Sequence, residues 1–252
     1  MGVQKYFQLS RFWLLVKLEL FKARKGIVMT FVITFGVFFF IGLMFGLAVS
    51  QNQIEYHHTA GYVVALLIGG FILTSLAFND LSSTLKRYHY LTLPVSIFER
   101  FFCMWLLTSI GWIILFTVAF ILYTLIVNLI GPILFNQVKF IGFTPWNPTA
   151  LQGILYYFVL QGVFLVGAAT FKGYVFPKTL FTLIIFAIAC SFLGYLLMAD
   201  MVDVEPELFE DPKIWMETSV FKIWQVVQWL FWILLAPLCW VVTYLALKEK
   251  EV

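Results

Sequence analysis

Along the chain, long apolar runs alternate with short polar ones, and the apolar runs have the length of bilayer crossings. A hydrocarbon core about 30 Å thick takes about 20 helical residues. Six stretches reach or approach that length: residues 27–49, 61–78, 101–130, 151–171, 180–198 and 226–247. None of them contains Asp, Glu, Lys, Arg or His. The pattern predicts an all-α polytopic membrane protein with six transmembrane helices. In the second run Gly61, Ala65, Gly69 and Gly70 leave room for close helix contact. The third run would be about 45 Å long as a helix, so it must tilt or continue beyond the lipid. Gly131-Pro132 is expected to stop it, and Pro237 to kink the last span.

Ahead of the first run, residues 4–25 repeat at helical spacing. Leu9, Phe12, Trp13, Val16, Leu20 and Ala23 fall on one face, with Gln8, Arg11, Lys22 and Lys25 opposite, interrupted by Leu15 and Leu18. A basic, aromatic-rich amphipathic helix lies in the headgroup plane. Gly26 is expected to end it and turn the chain into the bilayer. The chain thus divides into an N-terminal interfacial helix, residues 1–26, and a single six-span domain, residues 27–252. Charges spread through the first 25 residues exclude the uninterrupted apolar core of a cleavable signal peptide.

Composition agrees with the pattern: 62% of residues are hydrophobic and 12% charged, against about 45–50% and about 25% in soluble domains. The net charge of +3 is small, so the position of the basic residues matters more than their sum. No basic block resembles a nucleic-acid arm, and no nucleic-acid partner is expected. With six spans and the N-terminus inside, thirteen Lys and Arg fall in cytoplasmic segments and three (Lys139, Lys213 and Lys222) outside. The positive-inside rule therefore places both termini in the cytoplasm. The acidic segment 200–222 falls outside, with Asp211-Pro212 as a helix-start signal within it. The membrane implied is a bacterial cytoplasmic (inner) membrane.

Candidate chemistry is sparse. Spans without titratable groups lack the usual means of proton coupling, intramembrane hydrolysis or metal catalysis. Thr34, Ser75, Asn128, Gln152, Gln161 and Thr170 remain, and interhelical hydrogen bonding is their expected role. Cys103, Cys190 and Cys239 lie in apolar runs and match no metal spacing. Glu55, His57 and His58 have no fourth ligand nearby and read as solvated loop residues. The chain has no G-x-x-x-x-G-K-[ST], so no catalytic, cofactor or metal site is expected, and any ATP would be bound by a separate subunit.

The most polar segment between two spans is residues 79–100, NDLSSTLKRYHYLTLPVSIFER. Asn79 or Asp80 can cap a short helix through Tyr90, with Lys86 and Arg87 near its C-terminal end, where the dipole favours cations. Pro94 forces the preceding residues to extend. Ser96 and Glu99 form an S-x-x-E capping box that starts the third helix before the lipid begins. An ordinary connector between spans would satisfy the same spacing.

The order of these features resembles the permease subunits of type-2 ATP-binding-cassette (ABC) transporters, the family of six-span exporters. The shared features are an interfacial helix before the first span, a polar loop after the second, LTLPVSIFERF opening the third, and an extended outer loop before the last. The resemblance implies that the loop is a coupling helix seated on a separate ABC ATPase subunit. Asp80, Lys86, Arg87, Tyr88, His89 and Tyr90 would be the contacts, and Phe12, Trp13, Lys17 and Lys22 would belong to the connecting helix. It also implies a second permease chain, identical or related, and alternating access driven by ATP hydrolysis in the partner. The family's fused nucleotide-binding domain and large outer domain have no counterpart in the sequence. Two other readings fit the composition: a non-transporting membrane anchor whose loop docks some other partner, and an ion-coupled carrier.

Overall fold

The computed structural model describes residues 7–48, 54–81, 95–134, 138–204 and 219–250. Helix α1 covers Leu9–Ala48, and a short strand β1, Ile54–His57, leads into α2, His58–Ser75. A 3-10 turn follows at Asn79–Leu81. Helix α3, Ile97–Leu106, passes through one π turn, Leu107–Gly111, into α4, Trp112–Leu134. Strand β2, Val138–Ile141, precedes α5, Pro148–Thr170, then α6, Val175–Val204, and α7, Ser219–Glu249. Six helical units (α1, α2, α3–α4, α5, α6 and α7) are long and apolar enough to cross a membrane. Extensive apolar surface remains on their outer faces, for example at Val32, Leu129 and Phe181, as expected of helices solvated by lipid.

Helix α5 is the centre of the bundle. Half of its apolar window is buried, against 0% for α1 and 6% for α6. Small residues let its neighbours approach. A Cβ on Gly153 would lie 2.6 Å from Val63 Cγ2 of α2, and one on Gly162 would lie 3.1 Å from Cys239 Cβ of α7. Helix α2 answers in kind, since Cβ atoms on Gly69 and Gly70 would collide with Trp112 and Tyr157. Helix association in lipid has little hydrophobic driving force, so such close packing carries much of the stability. An aromatic cluster fills the space between α2, α4 and α5: Tyr62, Trp112, Phe116, Phe120 and Tyr157 are all buried. Phe31, Phe35 and Phe38 of α1 pack against it at helical spacing, with Phe31 stacked on Trp112 at 5.8 Å and Phe35 on Tyr123 at 5.0 Å.

The π turn has a local consequence. The Trp112 N–H bonds to Ser109 O, so the Thr108 carbonyl lacks the partner it would have in an uninterrupted α-helix. The buried Tyr157 hydroxyl donates to that carbonyl, and Gln161 Nε2 donates to Thr108 Oγ1 at 2.8 Å. Polar groups in a bilayer must be satisfied within the protein, and here α5 supplies the donors.

Several boundaries differ from those the sequence predicts. Gly26 does not end a helix: α1 runs unbroken for 40 residues, about 60 Å, and the boundary drawn at 26/27 falls inside it. A single helical glycine costs only about 1 kcal/mol relative to alanine. The Gly26 carbonyl also accepts the Thr30 hydroxyl at 2.8 Å, and no proline follows to prevent continuation. In the first half of α1, Phe12, Leu15, Val16 and Glu19 are buried, whereas Leu9, Trp13 and Leu20 are exposed. Gly131-Pro132 does not stop the third unit, which continues to Leu134; a proline this close to a helix end removes one hydrogen bond without ending the helix.

Residues 54–57, expected as loop, form a parallel pair with residues 138–141. His58 is not solvated: it is buried, with Nε2 3.2 Å from Asn128 Oδ1. The acidic segment begins inside α6, which extends to Val204, and the Asp211-Pro212 signal lies outside the described residues.

Candidate functional site

The site of interest is the pair of roots from which residues 82–94 emerge. Of the expected contacts, Lys86, Arg87, Tyr88, His89 and Tyr90 lie outside the described residues. Asp80 stands at the first root in the 3-10 turn, and Ser96 and Glu99 stand at the second. Both roots are held by the same helix, α1.

At the second root the capping box is complete. The Glu99 N–H donates to Ser96 Oγ at 3.2 Å, and the Ser96 N–H donates to Glu99 Oε2 at 2.8 Å. This satisfies two amide groups that helix geometry leaves without partners. The other carboxylate oxygen reaches across to α1: Glu99 Oε1 accepts the Gln8 N–H at 2.8 Å and Arg11 Nη2 at 3.1 Å. The Glu99 side chain is fully buried and that of Arg11 is 22% exposed. A buried carboxylate is tolerable only with such a set of donors. Neighbouring Arg100 is buried as well. Beneath this polar layer, Phe12, Leu15 and Val16 of α1 pack on Phe102, Cys103, Leu106 and Leu107 of the third unit. That spacing of i, i+3 and i+4 is one face of a helix.

At the first root, Lys22 Nζ lies 2.9 Å from Glu19 Oε1 and 3.6 Å from Asp80 Oδ2. Lys22 and Asp80 are substantially exposed, so this pair contributes at most about 1 kcal/mol. Its value lies in position. Arg11 and Lys22 are about 16 Å apart along α1 at 1.5 Å per residue, and each holds one root. Of the other connecting-helix residues, Phe12 is buried and its ring lies 5.3 Å from that of Phe102. Trp13 is exposed, with Lys17 Nζ 5.8 Å from its ring centre.

The carboxylate of Glu99 and the hydroxyl of Ser96 are occupied in holding backbone and guanidinium groups. The arrangement is mechanical: it makes α1, the 3-10 turn and the start of α3 a connected unit at one end of the bundle. The sequence marks the Ser96–Glu99 box by its spacing. The Arg11–Glu99 pair, 88 residues apart, and the Lys22–Asp80 pair have no local signal. Gln161 and Asn128 make the interhelical bonds expected of them. Ser75 and Thr170 instead donate to their own helices at Phe71 O and Val166 O, and Gln152 is exposed.

Fold and composition together define an integral membrane protein with six helices capable of spanning the bilayer. No protein-family model, curated protein or solved structure matches the chain.

Proposed function

We propose that the chain is the permease subunit of an ATP-driven transporter of the type-2 ABC class, acting as an exporter. A separate ATPase subunit binds residues 79–100, and a second permease chain completes the transporter. Both termini and this segment lie in the cytoplasm of a bacterial cell, and the spans cross its cytoplasmic membrane. The observation that carries the reading is the attachment of both roots of the segment to α1, through Lys22–Asp80 and through Arg11, Gln8 and Glu99. A force applied to residues 82–94 would pass into α1 and α3 together, where a loosely tethered connector would absorb it. Spans free of Asp, Glu, Lys, Arg and His favour an energy source outside the membrane. ATP hydrolysis in the partner would supply it through contacts that differ between two states of the permease.

The test is reconstitution from native membranes. The tagged chain should co-purify with a protein identified by mass spectrometry as a cassette ATPase, and the complex should hydrolyse ATP. Replacing Lys86, Arg87, Tyr88, His89 and Tyr90 with alanine should abolish binding or uncouple hydrolysis from transport. Unchanged binding and coupling in that variant would end the coupling assignment.

A further inference from the structure

We propose that the groove between α5, α6 and α7 is a binding site for an anionic phospholipid, with an acyl chain along the groove and the phosphate at Lys172 and Lys178. The groove encloses about 750 Å3 and is walled by side chains such as Val163, Val166, Phe186, Ala187, Val227 and Leu235. That size lies within the usual range of small-molecule sites. Its polar side chains are largely turned away from an occupant. The hydroxyls of Thr170, Thr179 and Thr182 donate at 2.9 Å to the carbonyls of Val166, Val175 and Lys178 on their own helices. Apart from Gln228, what faces the groove is therefore almost wholly apolar, and a hydrocarbon chain is the occupant it suits.

One end of the groove gives it a charge preference. Thr170, Phe171 and Thr179 line the groove where α5 turns into α6; Lys172 in that turn and Lys178 in the first turn of α6 are both exposed. Lys178 Nζ donates to Lys172 O at 2.7 Å, which holds its ammonium group over the turn. Residues 170–182 contain no acidic side chain. The turn is made by Gly173 and Tyr174 at φ +60 and +47, and Tyr174 is 85% exposed, in keeping with an aromatic at headgroup level. An apolar groove whose end, at Thr170, Phe171 and Thr179, adjoins two basic residues in the chain matches a phospholipid with a negative headgroup. A free phosphate would leave the groove unused. This site does not depend on the transporter reading, because binding is measured on the chain alone.

The experiment is native mass spectrometry of the full-length protein after equilibration with mixed phosphatidylglycerol and phosphatidylcholine vesicles and exchange into mild detergent. The wild type should retain phosphatidylglycerol in preference to phosphatidylcholine. The double variant Ala187→Trp/Cys190→Trp, filling the groove, should lose this retention, whereas Ile188→Trp, an exposed position outside the groove, should keep it. Lys172→Gln/Lys178→Gln, at exposed positions, should lower the preference for phosphatidylglycerol roughly tenfold while still retaining lipid. Equal phosphatidylglycerol retention in the groove-filled variant, or an unchanged preference in the lysine variant, would overturn the proposal. So would a Cys190-linked dimer on oxidation of membranes bearing Cys103→Ala/Cys239→Ala, because a second copy would then cover the groove.

Discussion

Glu99 holds three partners at once: the Ser96 amide of its own helix start, and the Gln8 amide and Arg11 guanidinium of α1. Its removal costs a helix cap, worth about 1 kcal/mol, and takes a carboxylate from the partly buried Arg11 guanidinium. Glu99→Ala is therefore expected to destabilise the protein by about 3 kcal/mol, measured by reversible unfolding of the reconstituted chain. Arg11→Ala should destabilise it as well. The two effects should fall short of additivity by about 1 kcal/mol or more, as they do for side chains sharing a buried contact. Strict additivity would mean that the pair does not join α1 to the third unit. The capping half of this site is legible in the sequence because Ser96 and Glu99 are three residues apart. The α1 half is not, because nothing in the order of residues says that a helix 88 positions earlier lies alongside.

Among the elements, the two longest helical units and the central one behave differently from what residue-by-residue signals predict. Gly26 reads as a helix stop, yet it lies within 40 continuous helical residues with no atom within 4 Å of a Cβ placed on it. Gly26→Ala is thus expected to fold normally and gain up to about 1 kcal/mol; a loss of assembly would mean that the chain bends there. The opposite holds at the packed glycines. Gly153→Leu drives a side chain into Val63 and Gly70→Ala drives one into the buried Tyr157 ring, each expected to cost about 2 kcal/mol or more. Gly194→Leu, with open space around it, should be neutral. Gly69 and Gly70 of α2 can be picked out in advance as contact residues. The central role of α5 is also written in Gly153, Gly162, Gly167, Ala168 and Ala169, but only as a stripe of small residues whose partners appear once the helices are packed.

For the molecule as a whole, apolar run length is enough to find all six helical units, since lipid thickness sets that length directly. The ends of those units are less legible, because helices continue past the apolar runs wherever capping and packing allow, as α3 does from its Ser96 cap and α6 does to Val204. Phe78, Asn79, Phe171, Lys172 and Lys250 line one small crevice. The loop after α2, the turn after α5 and the C-terminal end therefore share one end of the bundle. The proposed topology, drawn from the distribution of Lys and Arg, puts that end in the cytoplasm. In a background without native cysteines, Lys86→Cys and Lys250→Cys should react with an impermeant thiol reagent only from the cytoplasmic side, and Lys139→Cys only from the other. Reversed labelling would invert the topology and remove residues 79–100 from reach of any cytoplasmic ATPase.

The claim that this end of the bundle is the entry point for ATP-derived work is tested most directly by hydrolysis in the assembled complex. The chain and the cassette ATPase expected to co-purify with it, reconstituted together, should hydrolyse ATP faster than the ATPase alone. Glu99→Ala or alanine replacement of residues 86–90 should remove that stimulation while the ATPase keeps its basal rate. If no cassette ATPase accompanies the chain, or if stimulation is the same with the loop and its α1 attachment altered, the account is contradicted.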